Sequence, residues 1–249
     1  MFAEPVSITI EAGALTYQGN QSPTLANCDL TFPAGKWTCI LGRSGCGKSS
    51  LLKHLAGLLG EQAIWQGEVT VNPDIHLPSN IAYMAQQDLL LPWLNVIENV
   101  CLSAKFGEQK TPNIKRAQSL LKAVGLKEYS CANIRQLSGG MRQRVALART
   151  LMQDKPIVLM DEPFSALDAV NRYRLQTLFS DLLKDRTVVL ITHDPQEAIR
   201  LADQLYLLHG VPAKGKELKL PDSSPPRDLN RDSVELQQII LKMLEADHE

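Results

Sequence analysis

The chain is predicted to fold as an α/β protein around a buried parallel sheet, and three observations carry that reading. Two short runs, Ile157-Val158-Leu159-Met160 and Val188-Val189-Leu190-Ile191, are wholly apolar. A strand reads this way when helices cover both faces of its sheet. Between Trp37 and Gly60 a strand-like run, a glycine-rich loop and a helical stripe follow in the order a phosphate-binding turn requires. A chain of 249 residues is long enough to bury a full core as one such domain with a small appendage.

Residues 6–10, 25–32 and 37–41 mix β-branched, aromatic and alternating apolar side chains and read as strands. Gly13, Gly19-Asn20 and Pro33-Ala34-Gly35 read as the turns beside them. After Lys48, Leu51, Leu52, Leu55, Leu58 and Leu59 recur at helical spacing up to Gly60. A second helix carries Ala117, Leu120, Leu121 and Val124 between Pro112 and Gly125, inside a helical subdomain of about 89–134. Asp194-Pro195-Gln196-Glu197 supplies an N-cap, a proline at the first helical position and an acid at the third, so a helix starts there. The composition changes after Gly210, where Lys214-Gly215-Lys216 and Ser223-Ser224-Pro225-Pro226 read as linker. Val234, Leu236, Ile239, Ile240, Met243 and Leu244 then predict a terminal helix packed back on the domain. The expected organisation is a domain over 1–210 and a linker with helix over 211–249, without internal repeats.

A net charge of −1 argues against nucleic acid as a partner, since such binders carry a basic excess. No stretch has the roughly eighteen apolar residues that span a bilayer, and the first residues lack the basic region of a signal peptide. A cytoplasmic protein is expected. Cys28, Cys39, Cys46, Cys101 and Cys131 form no C-x-x-C pair, which fits free thiols. Cys46 alone lies where N–H groups and Lys48 could favour thiolate, although the plainer reading is a small residue that fits the loop.

Three motifs carry chemistry. Gly42-Arg43-Ser44-Gly45-Cys46-Gly47-Lys48-Ser49 matches G-x-x-x-x-G-K-[ST], with Ser50 following. Its glycines let backbone N–H groups wrap phosphates, its lysine reaches the β- and γ-phosphates, and its terminal serine ligates Mg²⁺. Asp161-Glu162 ends an apolar strand, where one carboxylate can meet Mg²⁺ and its neighbour can meet the attacking water. In Leu137-Ser138-Gly139-Gly140-Met141-Arg142-Gln143-Arg144, a serine and two glycines lead into a predicted helix whose N–H groups and dipole suit a phosphate.

This last run closely resembles the signature motif of ATP-binding cassette (ABC) proteins, and the resemblance extends over most of residues 8–208. It implies a P-loop NTPase cassette with a RecA-like core, an antiparallel β subdomain and a helical signature subdomain. In that family two cassettes close head to tail, so Ser138, Gly139 and Gly140 would face the partner's ATP. Asp161 would hold Mg²⁺, Glu162 would be the general base, Tyr17 would stack on adenine, and Gln86 would contact Mg²⁺ and the lytic water. His193 would contact the γ-phosphate, and Asp168 of Ser165-Ala166-Leu167-Asp168 would join the two cassettes. With Glu162 and His193 both present, real ATPase activity is implied, against a purely regulatory ATP-binding module. A soluble ABC ATPase of DNA repair or translation would add coiled coils or a second cassette.

The segment from Ile81 to Leu94 and the runs Met141-Arg142-Gln143-Arg144 and Asp161-Glu162-Pro163-Phe164-Ser165-Ala166-Leu167-Asp168 resemble ATPases of importers for nitrate, sulfonates, taurine and related small solutes. The wording of residues 83–93 and 37–45 is most similar to those serving uptake of hydroxymethylpyrimidine, a thiamine precursor. Ala85 departs from the phenylalanine common there. The implied partners are a second copy, membrane permease subunits and a separate solute-binding protein, at the cytoplasmic face of the cell membrane.

Overall fold

The computed structural model describes residues 4–105 and 111–247. In chain order the strands are β1 (Ser7–Tyr17), β2 (Leu25–Phe32), β3 (Trp37–Gly42), β4 (Ala63–Asn72), β5 (Ile81–Met84), β6 (Ile157–Asp161), β7 (Thr187–Ile191), β8 (Gln204–His209) and β9 (Lys214–Leu218). The helices are α1 (Lys48–Leu55), α2 (Val96–Val100), α3 (Ile114–Ala123), α4 (Gly139–Met152), α5 (Ala169–Leu182), α6 (Pro195–Leu201) and α7 (Arg231–Ala246). The strands form two sheets, an antiparallel β2-β1-β4 and a six-stranded β5-β6-β7-β3-β8-β9 that is parallel except for β9.

The apolar runs owe their pattern to two cores, one on each face of the larger sheet. Val158, Met160, Val188 and Leu190 pack into a core shared with α3 and α4. Their neighbours Ile157, Leu159, Val189 and Ile191 pack into the other, with α1 and the antiparallel sheet. Both faces are buried, so period-two alternation disappears.

Three expectations are corrected. Gly13 is no turn but part of β1, at an irregularity in its pairing with β2. A Cβ there would come within 2.6 Å of Ile10 Cγ2 and 2.8 Å of the Trp65 ring, so the site admits only hydrogen. Helix α1 stops at Leu55, and Gly57 follows with φ +69°, so Leu58 of the apolar stripe is 56% exposed while Leu59 is buried. Lys214-Gly215-Lys216 is not linker but β9, paired antiparallel with β8. As an edge strand it keeps a mostly solvated, lysine-bearing pattern that reads like loop.

The terminal helix is present as α7. Ile240 is buried and Leu236, Met243 and Leu244 pack on the core, but Val234 and Ile239 face solvent. α3 is capped by Asn113 and followed by Gly125 at φ +71°. α6 begins as expected, with Asp194 Oδ1 accepting from the N–H groups of Gln196 and Glu197.

Candidate functional site

Four strand ends converge. β5, β6, β7 and β3 are parallel neighbours in that order, so the segments leaving their carboxyl ends lie side by side, where open α/β sheets bind ligands. These segments carry residues 42–50 after β3, Gln86 after β5, Glu162 after β6 and His193 after β7.

Gly42, at the end of β3, and Gly45 and Gly47, in the loop after it, have φ of +155°, +81° and +103°. A Cβ on Gly42 would also sit 2.6 Å from the Leu208 carbonyl oxygen. Gly42→Ala is therefore expected to cost about 2 kcal/mol or more of folding stability, readable in a denaturant melt. Lys48 is buried, and its ammonium donates to the carbonyls of Gly42 and Arg43 at 2.7 Å each. Ser49 and Ser50 are half-buried, and Ser44 and Gly45 are exposed. The Ser50 hydroxyl shares a 2.7 Å hydrogen bond with the Tyr17 hydroxyl, which anchors that ring beside the loop.

Two loop residues have contacts of their own. Arg43 sends its guanidinium to the end of α7, where Nη1 donates to the Asp247 carbonyl and Nε lies 3.9 Å from Asp247 Oδ2. Its side chain is thus engaged by the terminal helix. Burial pushes the Cys46 thiol above its usual range despite Lys48 Nζ at 3.9 Å, which disfavours the thiolate and fits the plainer reading of a small residue in the loop.

The acids sit at the end of β6. Asp161 is buried, and its Oδ1 has no hydrogen-bond partner. Burial first, and the Glu162 charge second, raise its pKa against a hydrogen bond from Ser49. Glu162 has φ +49°, costly for a side chain with Cβ. It is held there by its N–H, which donates to Ile191 O at 2.9 Å, and by its carbonyl, which accepts from the Ser165 hydroxyl at 3.0 Å. Glu162 Oε2 accepts from Gln86 Nε2 at 3.1 Å and lies 3.3 Å from His193 Nδ1. Tyr17, Ser49, Gln86 and Asp161 line one cleft of about 510 Å³.

The signature residues stand apart. Ser138 caps α4, its Oγ accepting from Met141 N at 3.3 Å, and Ser138 and Gly139 are exposed. No hydrogen bond among the described residues joins 138–140 to 42–50, and Gly139 lines a different cleft with Asp88, Arg142 and Ala166. Asp168 is exposed at the start of α5, its pKa lowered by hydrogen bonds from Asn171. One chain therefore assembles the loop, the two acids, Gln86 and His193, and leaves an open helix end elsewhere.

A family model described as "ABC transporter" matches residues 25–165. The chain belongs to the ABC transporter family. Among its relatives, the aliphatic sulfonates import ATP-binding protein SsuB of Bacillus subtilis is 36% identical over 96% of this chain and 92% of its own length. The taurine import ATP-binding protein TauB of Pseudomonas aeruginosa is 40% identical over 83% of this chain and 80% of its own. A solved dimer of the ATP-binding cassette MJ0796, bound to ADP and Pi, superposes with a TM-score of 0.75 at 30% identity, over 87% of this chain and all of that one. The P-loop cassette fold expected from the sequence is thus borne out, and the protein is an ATPase.

Two further features of this ABC cassette escaped sequence reasoning. Tyr83 lines the same cleft as Asp161, its hydroxyl buried without a partner and its pKa pushed up to about 12 by burial and the Asp161 charge. A polar tip in the otherwise apolar β5 was the available signal. Arg142 Nε donates to Asp88 Oδ2 at 3.0 Å, and Arg149 donates to the carbonyls of Asp88 and Leu89. These bonds tie α4 to the segment after Gln86, and no local pattern announces them.

Proposed function

We propose that this chain is the ATP-hydrolysing subunit of an importer for a small solute. It would work at the cytoplasmic face of the membrane as a homodimer of cassettes, with permease subunits and a separate solute-binding protein. The observation that carries the reading is the contact of Glu162 with both Gln86 and His193 at the carboxyl ends of neighbouring parallel strands. The import names of the 36–40% identical relatives support the direction of transport.

The residues present fit a divalent cation. A buried carboxylate oxygen without a hydrogen-bond partner, on Asp161, is costly unless a cation meets it. Asp161, Ser49 and Gln86 would hold Mg²⁺, which when bound neutralises charge on the β- and γ-phosphates. The loop's N–H groups cradle the phosphates, and Lys48 exchanges loop carbonyls for phosphate oxygens. Tyr17, which lines the same cleft as Asp161, would stack on the adenine. Glu162 accepts the proton of the attacking water as its oxygen bonds to the γ-phosphorus, and the bond to the ADP oxygen breaks. His193 orients the γ-phosphate from the side of Glu162. Ser138, Gly139 and Gly140 complete the partner's site across the dimer, and Asp168 lies at the joint.

Coupling to the membrane follows from the segment after Gln86. Leu89 and Trp93 are 58% and 74% exposed, an apolar surface suited to a permease coupling helix. Arg142 and Arg149 bind that segment to α4, so movement of the signature helix is carried to the docking surface. No helix among the described residues is long and apolar enough to cross a membrane, as a peripheral subunit requires.

Two solute classes are in play. The 37–45 and 83–93 segments favour a pyrimidine thiamine precursor, and the named relatives favour a sulfonate or taurine. ATP hydrolysis by the chain reconstituted with its permease and binding protein, scanned against the pyrimidine, taurine, an alkanesulfonate and nitrate, separates them. The solute that stimulates turnover is the cargo; stimulation by none of them would remove both solute assignments.

A further inference from the structure

Behind His193 lies a buried carboxyl with no part in the steps above. Glu197, on α6, is 6% exposed. Its Oε2 accepts from the Thr192 hydroxyl at 2.5 Å, and its Oε1 accepts from Gln176 Nε2 at 3.3 Å. Thr192 immediately precedes His193, and its Oγ1 also accepts from the Asp194 N–H at 3.1 Å, so both neighbours of the histidine are held through one hydroxyl. Gln176 belongs to α5, the helix capped by Asp168. Its Oε1 accepts from Arg200 Nη1 at 3.2 Å, which fixes the amide orientation.

We propose that Glu197 is a positioning residue for His193, and that Gln176 joins this support to the helix led by Asp168. The inference rests on the reading of His193 as the residue that meets the γ-phosphate. A shift of α5 on dimer closure would reach Thr192 through Gln176 and Glu197 and set the histidine's approach to Glu162. Both bonds run into the carboxylate as acceptor, so its ionised form holds the network complete.

The titratable and charged groups around Glu197 are Asp194, the cap of α6, and Arg200 on that helix, Arg172 and Tyr173 on α5, and Arg227 and Asp228 on the segment after β9, with the Cys39 thiol of β3 also near. Burial, with Asp194 adding to it, pushes the Glu197 carboxyl up to about 7. It therefore changes charge across neutrality. A raised acid pKa means the folded state resists ionisation, so this group's contribution to stability falls as pH rises from the unfolded value, about 4.3, through about 7. Glu197→Gln removes that loss.

The two effects have opposite signs in the full chain. At pH 8, Glu197→Gln should turn over ATP on the order of fivefold more slowly than wild type, the rate equivalent of one hydrogen bond. It should nonetheless melt at or above the wild-type temperature. At pH 6 the two rates should meet, with KM for ATP unchanged throughout. Thr192→Val should show the same loss at pH 8, and the double variant should be no slower than Thr192→Val alone. Wild-type rates at every pH in both single variants, with His193→Ala inactive, would overturn the positioning role and leave the proposed function standing. Full activity in His193→Ala would instead remove the reading beneath it. A rate loss in Glu197→Gln that tracks a lowered melting temperature at both pH values would mark Glu197 as structural only and also overturn it.

Discussion

Glu162→Gln is expected to lower ATP turnover by about 10²–10⁴-fold, the range over which a positioned general base acts. The substitution keeps the shape and the contact to His193 but removes the charge that we propose takes the water's proton. Nucleotide binding should survive, because residues 42–50 and Tyr17 are untouched. The variant should therefore accumulate as an ATP-bound dimer, visible as a doubled mass in gel filtration with ATP and as a monomer without it. Undiminished hydrolysis would show that another group is the base. Gln86→Ala, which removes the 3.1 Å hydrogen bond to Glu162, should be the milder lesion, since the carboxylate remains.

Ser138→Arg is expected to abolish hydrolysis with the chain's own fold intact. Ser138 is exposed, and among the described residues its Oγ bonds only as the cap of α4. Losing that cap costs about 1 kcal/mol, too little to unfold the protein. Its larger effect is on the second copy, because an arginine there would fill the place of the partner's γ-phosphate. Introduced into Glu162→Gln, it should leave the chain monomeric in ATP while ATP binding per chain stays near normal. A dimer that still forms, or hydrolysis at full rate in the single variant, would sink the shared-site arrangement.

The local motifs were legible because each needs only a few neighbours. The glycines of residues 42–47 turn where three positive φ angles require them, and Asp161-Glu162 ends its strand because the apolar run before it fills two cores. Asp194 and Pro195 start α6 for reasons contained in four residues. What failed was equally specific. β9 looked like linker because an edge strand has one neighbour and a solvated face. The leucine stripe of α1 ran past its end, because Leu59 is buried by tertiary packing and not by helical periodicity.

Sequence alone determined the family, the P-loop, the two acids and the helix ends that present backbone N–H groups, since chemistry of that kind is written in contiguous residues. Tertiary structure alone decided which side chains meet. Gln86 reaches Glu162 across 76 positions, Arg142 reaches Asp88 across 54, and Arg43 reaches Asp247 across 204. It also decided that Glu197, on its face a first-turn helix acid, is a buried support for Thr192. Contacts of this range depend on the order in which the parallel strands lie, and that order is set by which apolar faces are buried together, which no local pattern encodes.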